Sequence, residues 1–343
     1  MLKPHKMELV LVTGGTGAVG IHCLLQLLQK GYRVRTTLRA INKKNEVIEM
    51  LKTGGIASFS NIDFIETDLA KDANWDEALK DCSYVLHVAS PTHQESDMIQ
   101  AAVDGTLRVL KAARDARVKR VVLTSSFGAL GFSNKDRNTE TTEADWTDPK
   151  EKGLSDYEKS KGLAERAAWN FIKTEGGDLE LAVINPVAIF GPPLGPSKSP
   201  SFGLLKSLLN GSMKAVPHIP LNVVDIRDVA DLHIRAMTNP NANGQRFIAT
   251  ADGEISLPEI AILLKNKVPE AAGKVSGKTL PNWVLPIAAL FNPEAKRAIL
   301  FLKINRRVSN AKARKVLGWA PIANKEEAIL ASVKSMIKYN EHN

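Results

Sequence analysis

Leu9-Val10-Leu11-Val12-Thr13-Gly14-Gly15-Thr16-Gly17-Ala18-Val19-Gly20 decides the fold of this chain. The apolar run predicts a short buried strand, and the glycines after it end the strand in a turn. Residues 18–30 then follow helical spacing until Gly31 closes them. Gly14 and Gly17 let the backbone turn tightly and approach a ligand, and Gly20 lets the helix pack on the strand. The helix start, from Thr16 through Ala18 and Val19, offers N–H groups and a positive dipole end to a phosphate. A glycine triplet alone is an ordinary turn. With a strand before it and a helix after it, the triplet reads as a dinucleotide-binding fingerprint.

Outward from this turn the pattern repeats. Strands are expected at 32–38, 61–66, 84–89, 120–124 and 179–185, with helices near 43–52, 75–79, 95–116 and 155–175. Strands alternating with helices imply a parallel sheet wound on both faces, with ligands at the carboxyl ends of the strands where the order reverses. The pattern changes after Asn185. Gly191-Pro192-Pro193-Leu194-Gly195-Pro196 cannot be regular structure, and beyond a strand at 222–225 and a helix at 227–238 the chain is mostly helical and punctuated by prolines. At 343 residues two domains, or one large domain with a lobe, are expected. We divide the chain into a sheet domain, 1–185 plus 222–251, and a smaller lobe, 186–221 plus 252–343.

Bulk properties narrow the function. The net charge of +9 is spread along the chain, densest at 303–315, and no aromatic-interleaved or DNA-binding motif goes with it, so nucleic acid is not an expected partner. Two cysteines, Cys23 and Cys82, make neither a disulfide framework nor a metal-ligand spacing. His22, His87 and His233 lie within expected elements with no second ligand nearby, and no metal is expected. No signal peptide or membrane-spanning segment is evident, so a cytoplasmic protein without a membrane partner is expected.

Tyr157-Glu158-Lys159-Ser160-Lys161 carries the chemistry. A phenol and an ammonium four residues apart on a helix share one face. When a hydride attacks a carbonyl carbon, charge develops on oxygen and a proton must arrive there. The unperturbed tyrosine pKa of about 10 is high for that task. A lysine charge at ~4–5 Å supplies on the order of 4 kcal/mol toward lowering it. Thr124-Ser125-Ser126-Phe127 ends a strand at the correct sheet edge and offers hydroxyls to the developing oxyanion. His93 and Phe127 lie beyond strand ends. They are substrate-pocket candidates, with plain packing the alternative.

The glycine spacing together with Tyr157 and Lys161 resembles the extended short-chain dehydrogenase/reductase family. Further resemblance at Asn185-Pro186-Val187, Phe190-Gly191-Pro192, Ser309-Asn310-Ala311-Lys312 and Leu317-Gly318-Trp319 covers essentially the whole chain. It implies a doubly wound parallel Rossmann sheet with a smaller, mostly helical C-terminal substrate lobe. It implies Tyr157 as proton donor, Lys161 as its tuner and ribose contact, and Ser126 as the third catalytic residue with Ser125 as fallback. Asp68 and Leu69 are the implied adenine contacts. Val88, Ala89 and Ser90 pass the diphosphate–ribose side, Thr124 lies among the cofactor contacts, and Asn185, Pro186 and Val187 wall the nicotinamide. Relatives that use NAD carry an acid where this chain has Leu38. Arg39 follows it and Lys44 lies close by, so NADP(H) is the expected cofactor, the guanidinium pairing with a 2′-phosphate.

The asparagine of a four-residue proton relay is not evident in Ala101-Ala102-Val103-Asp104-Gly105-Thr106. Within the family the chain looks most like dihydroflavonol reductase-like aldehyde and ketone reductases. Gly131, however, stands where the plant flavonoid enzymes carry a substrate-contacting asparagine. The expectation is a monomer or homodimer that reduces small carbonyl compounds. A nucleotide-sugar epimerase or dehydratase holding NAD, and a non-enzymatic NADP-binding sensor, are the alternatives.

Overall fold

The computed structural model describes residues 8–91, 97–196, 199–281, 283–291 and 293–339. The apolar run forms β1 (Leu9–Thr13), and all five of its residues are buried. A strand without polar alternation belongs in the middle of a sheet covered on both faces, and β1 lies between β2 (Arg33–Leu38) and β4 (Cys82–His87). The seven-stranded sheet runs, in order, strand Gln245–Ala249, β6 (Glu180–Pro186), β5 (Arg120–Thr124), β4, β1, β2 and β3 (Ile62–Glu66). The pairings from β3 across to β6 are parallel. The chain winds outward from β1 through β2 and β3, then returns to the other side of β1 for β4. The order therefore reverses where the glycine turn leaves the sheet, which is where such sheets take ligands.

Helices α1 (Ala18–Gln29), α2 (Lys44–Thr53), α3 (Trp75–Leu79), α4 (Met98–Asp115) and α5 (Asp156–Thr174) connect these strands. Side chains alternate across a strand, and one face gathers Leu9, Leu11, Val85, Val121, Leu123, Leu181 and Val183 with Trp75, Leu79, Val109, Leu110 and Phe171 of α3, α4 and α5. Full burial of each such Val, Leu or Phe contributes about 1.5–3 kcal/mol.

The described residues group into two compact units. The first comprises residues up to Ser125, Leu163–Ile184 and Ala230–Arg246. The second comprises Ser126–Gly162, Asn185–Val229 and the chain from Phe247 onward, whereas the sequence division put 126–162, 222–229 and 247–251 with the sheet domain. Two apolar clusters hold the second unit. The larger packs Phe190, Leu205, Leu208, Ile260, Leu264, Ile329 and Val333. The smaller packs Phe127, Leu130, Phe132, Leu154, Ile248, Leu300 and Ile304. Asp225 and Arg227 pair within this unit at 2.8 Å, and the Asp228 carboxylate accepts from Trp319 Nε1 at 3.2 Å and Ile322 N at 3.0 Å. Asp228 thus ties its helix to the 319–322 segment, while Asp225 and Arg227 pair locally. Among the described residues no helix is long and apolar enough to cross a membrane.

Candidate active site

The turn after β1 is built from backbone. Gly17 N donates to the Gly14 carbonyl at 2.9 Å, closing it. Gly14 has φ +75°, and a Cβ there would stand 3.1 Å from the backbone of Ala89. A Cβ on Gly20 would lie 2.3 Å from the Gly14 carbonyl oxygen, so only glycine lets α1 pack this close to the turn. Gly15, to which the sequence pattern assigns no role, is equally confined: its Cβ would meet Thr36 Oγ1 at 2.3 Å. The turn is tied to the end of β4 by Thr13, whose hydroxyl accepts Val88 N and Ala89 N at 3.0 Å each. With its lone pairs so engaged, its proton points to His87 Nδ1, 2.9 Å away. Val88, Ala89 and Ser90 follow, each half-buried.

Gly17 caps α1 with no side-chain hydrogen bond, and the first turn of the helix carries no acidic residue. Thr16 and Gly17 are exposed, while Ala18 and Val19 are half-buried. A tight backbone cradle that a Cβ would fill, at a helix start with no competing carboxylate, fits the diphosphate of a dinucleotide.

The neighbouring edge fits the adenosine end. Leu38 closes β2 and is buried, and Arg39 is exposed beside it. Lys44 is exposed, its ammonium 5.2 Å above the Phe64 ring, and Lys43 pairs with Glu46 at 3.1 Å. The Glu66 carboxylate accepts Ile41 N at 2.8 Å and so holds the turn that presents these cations. Asp68 Oδ1 accepts Ala70 N at 3.0 Å, while Leu69 packs against Gly105 of α4.

In the second unit, Ser126 has extended backbone, and its Oγ accepts Gly128 N at 3.1 Å. A hydroxyl that accepts in this way keeps its proton for donation. Asn185, buried at the end of β6 with Pro186, donates to the Ser126 carbonyl at 3.3 Å, and half-buried Val187 follows. In the first unit, Ser125 is tied elsewhere. Its hydroxyl donates at 2.5 Å to buried Glu165, which also takes Arg246 Nε at 2.6 Å and Trp169 Nε1 at 3.2 Å. The Thr124 hydroxyl is engaged with His233 Nε2 at 2.6 Å.

Tyr157 stands half-buried in the first turn of α5, and Lys161 is buried one turn on, its ammonium 5.9 Å from the centroid of the phenol ring. Burial pushes the Tyr157 phenol up to about 12; the Glu158 carboxylate adds to the rise and the Arg297 guanidinium opposes it. This is the reverse of the lowering expected from Lys161. Removing the phenolate from water is the largest cause of the rise, and the proton stays on Tyr157 at neutral pH.

Phe127 is only 4% exposed and lies in the smaller apolar cluster, edge-on to Phe132 at 5.9 Å. It also fills the space at Gly131, where a Cβ would fall 2.1 Å from Phe127 Cζ. His93 lies outside the described residues. Glu158 and Arg297 were missed in the sequence. Glu158 is 4% exposed; one of its oxygens accepts Ser155 N at 2.8 Å and the Ser155 hydroxyl, and the other accepts from Arg297 Nη2. The Ser155-x-x-Glu158 spacing is that of a helix capping box and could have exposed the glutamate. Among the described residues no group of three or more His, Cys, Asp or Glu is placed to hold a metal ion.

The model of the NAD dependent epimerase/dehydratase family matches residues 10–249. The ketoreductase azaE of Aspergillus niger is 33% identical over 80% of this chain and 86% of its own length. GRP2 of Candida albicans, provisionally named an NADPH-dependent methylglyoxal reductase, is 31% identical over 90% of this chain and 93% of its own. The crystal structure of Candida albicans Gre2 in complex with NADPH superposes with a TM-score of 0.77 at 27% identity, covering 98% of this chain and all of the other. With the glycine turn and the Tyr157–Lys161 helix in place, this chain belongs to the NAD-dependent epimerase/dehydratase family.

Proposed function

We propose that this enzyme reduces aldehydes and ketones to alcohols at the expense of NADPH, with Tyr157 as the proton donor. The observation that carries the reading is the intact Tyr157–Lys161 helix face in a chain whose β2 ends at Leu38 and is followed by Arg39, without a carboxylate. Gly14, Thr16, Gly17, Ala18, Val19 and Gly20 would hold the diphosphate, Arg39 and Lys44 the 2′-phosphate, and Asp68 and Leu69 the adenine. Val88, Ala89, Ser90 and Thr124 would line the cofactor, and Asn185, Pro186 and Val187 its nicotinamide end. When bound, the reduced nicotinamide supplies a hydride to the carbonyl carbon.

The chain's own residues do the rest. Ser126 donates a hydrogen bond to the carbonyl oxygen, whose charge grows in the transition state. Tyr157 delivers its proton to that oxygen. Lys161 holds the nicotinamide ribose and stabilises the phenolate left behind. The names of azaE and GRP2 support a carbonyl substrate, and the NADPH bound in the Gre2 complex supports the cofactor. A cytoplasmic location and a cofactor released after each turnover go with this reading.

A screen for NADPH oxidation across aldehydes, α-dicarbonyls, ketoesters and a flavanonol tests it. Stoichiometric NADPH consumption with alcohol formed is the expected result. Tightly retained NAD with no net redox turnover would overturn it in favour of epimerisation.

A further inference from the structure

The helix Pro293–Lys303 braces both flanks of the catalytic segment within the second unit. On one side Phe301 lies edge-on to Phe132 at 5.3 Å, and Phe132 to Phe127, the residue after Ser126. On the other side Arg297, one turn before Phe301 on the same face, reaches Glu158, the residue after Tyr157. The Arg297 guanidinium also lies 5.3 Å over the Phe301 ring, which joins the two flanks. Just before α5, a Cβ on Gly153 would stand 3.2 Å from Leu300 Cβ, so the approach to the helix is packed on the same brace. Glu158 closes the arrangement by accepting from Ser155 at the helix start.

We propose that Glu158 and Arg297 are positioning residues for Tyr157, fixing the first turn of α5 and setting the balance of charge at the phenol. The proposal rests on Tyr157 being the proton donor. A carboxylate at 4% exposure with its partner removed is a strong uncompensated charge. Among the described residues, Glu158 on the same helix raises the phenol and Arg297 on the bracing helix opposes the rise, while the Lys161 ammonium lies 5.9 Å from the ring centroid. Glu158 opposes formation of the phenolate, while Arg297 and Lys161 favour it. The two members of the pair therefore pull the phenol in opposite directions, and neutralising them one at a time must move it in opposite directions. A purely structural brace has no such sign.

The test uses Glu158→Gln, Arg297→Gln, Arg297→Lys and the double Gln variant in the full chain. Tyrosinate absorbance is titrated without cofactor, with a Tyr157→Phe spectrum subtracted to isolate the phenol. In parallel, the alkaline limb of NADPH-dependent methylglyoxal reduction is followed against pH. Arg297→Gln should move both midpoints up and Glu158→Gln should move both down, each by about one pH unit. Arg297→Lys, which keeps the charge, should stay near wild type, and the double variant should fall between the two single Gln variants. Midpoints that stay fixed, or that move the same way in both single variants, would overturn the proposal. If Glu158→Gln does not fold, the contrast between Arg297→Gln and Arg297→Lys decides it. A near-wild-type rate in Tyr157→Phe would sink the proton-donor assignment instead, while the cofactor-free titration would still judge the pair.

Discussion

In the turn after β1, the groups proposed to meet a ligand are backbone N–H groups, and the turn's shape is enforced by the absence of side chains at Gly14, Gly15 and Gly20. In the segment from Ser126 to Lys161 the proposed catalytic groups are side chains, and hydrogen bonds hold their surroundings: from Gly128 N at Ser126, and from Ser155 and Arg297 at Glu158, the neighbour of Tyr157. The first region is a matter of space and the second of charge and hydrogen bonding. Damage should differ accordingly, with lost binding in one and lost chemistry in the other.

The sharpest way to break that contrast is Tyr157→Phe. Turnover should fall by about 10²–10⁴-fold, the usual share of a positioned proton donor. The NADPH dissociation constant, measured by calorimetry, should be unchanged. A matching loss of affinity would mean that Tyr157 itself holds the cofactor, as Lys161 is proposed to. Next comes Gly20→Ala, which forces a methyl to within 2.3 Å of the Gly14 oxygen unless α1 moves. It should cost about 1–3 kcal/mol in a denaturant titration and weaken NADPH binding. Wild-type affinity here would show that the turn is not a steric cradle.

Arg39→Ala is a smaller lesion. The KM for NADPH should rise about tenfold or more, the scale of one charged hydrogen bond, with little change for NADH. Equal effects on the two cofactors would remove the 2′-phosphate role. Smallest is Ser125→Ala, which should leave kcat nearly intact and lower stability by about 1–3 kcal/mol, because buried Glu165 loses a donor. The companion Ser126→Ala should lose about 10²-fold in kcat. An inverted outcome would make Ser125 the oxyanion donor.

Much of the scaffold was legible because its signals are local. The strand 120–124 and the helix 75–79 match the sequence expectation residue for residue. The helix expected at 95–116 begins at Met98 because the Asp97 side chain caps it, accepting from Gln100 N at 3.1 Å. Strand Gln245–Ala249 is not among the sequence expectations, and its first two residues, Gln245 and Arg246, are polar. Arg246 is buried only because Glu165, far away in the chain, neutralises it. The proposed catalytic residues are marked in the sequence by type and spacing, but their environment is not. Arg297 and Glu158 are 139 positions apart, and no periodicity links them. The direction of the Tyr157 shift depends on burial, which a helical register does not report. Phe127 illustrates the same gap, since a position beyond a strand end can open onto ligand or close into core, and here it closes.

Phe127 and Gly131 also constrain how this enzyme could change over generations. The ring occupies the volume that a side chain at 131 would need, so the order of substitutions matters. A lineage that first enlarges position 131 passes through a clashing intermediate. One that first trims Phe127 opens the room and can then place an amide or hydroxyl there. Two substitutions that are individually costly become compatible in only one sequence of steps. A population carrying Phe127 is therefore held away from that alternative chemistry by history as much as by selection.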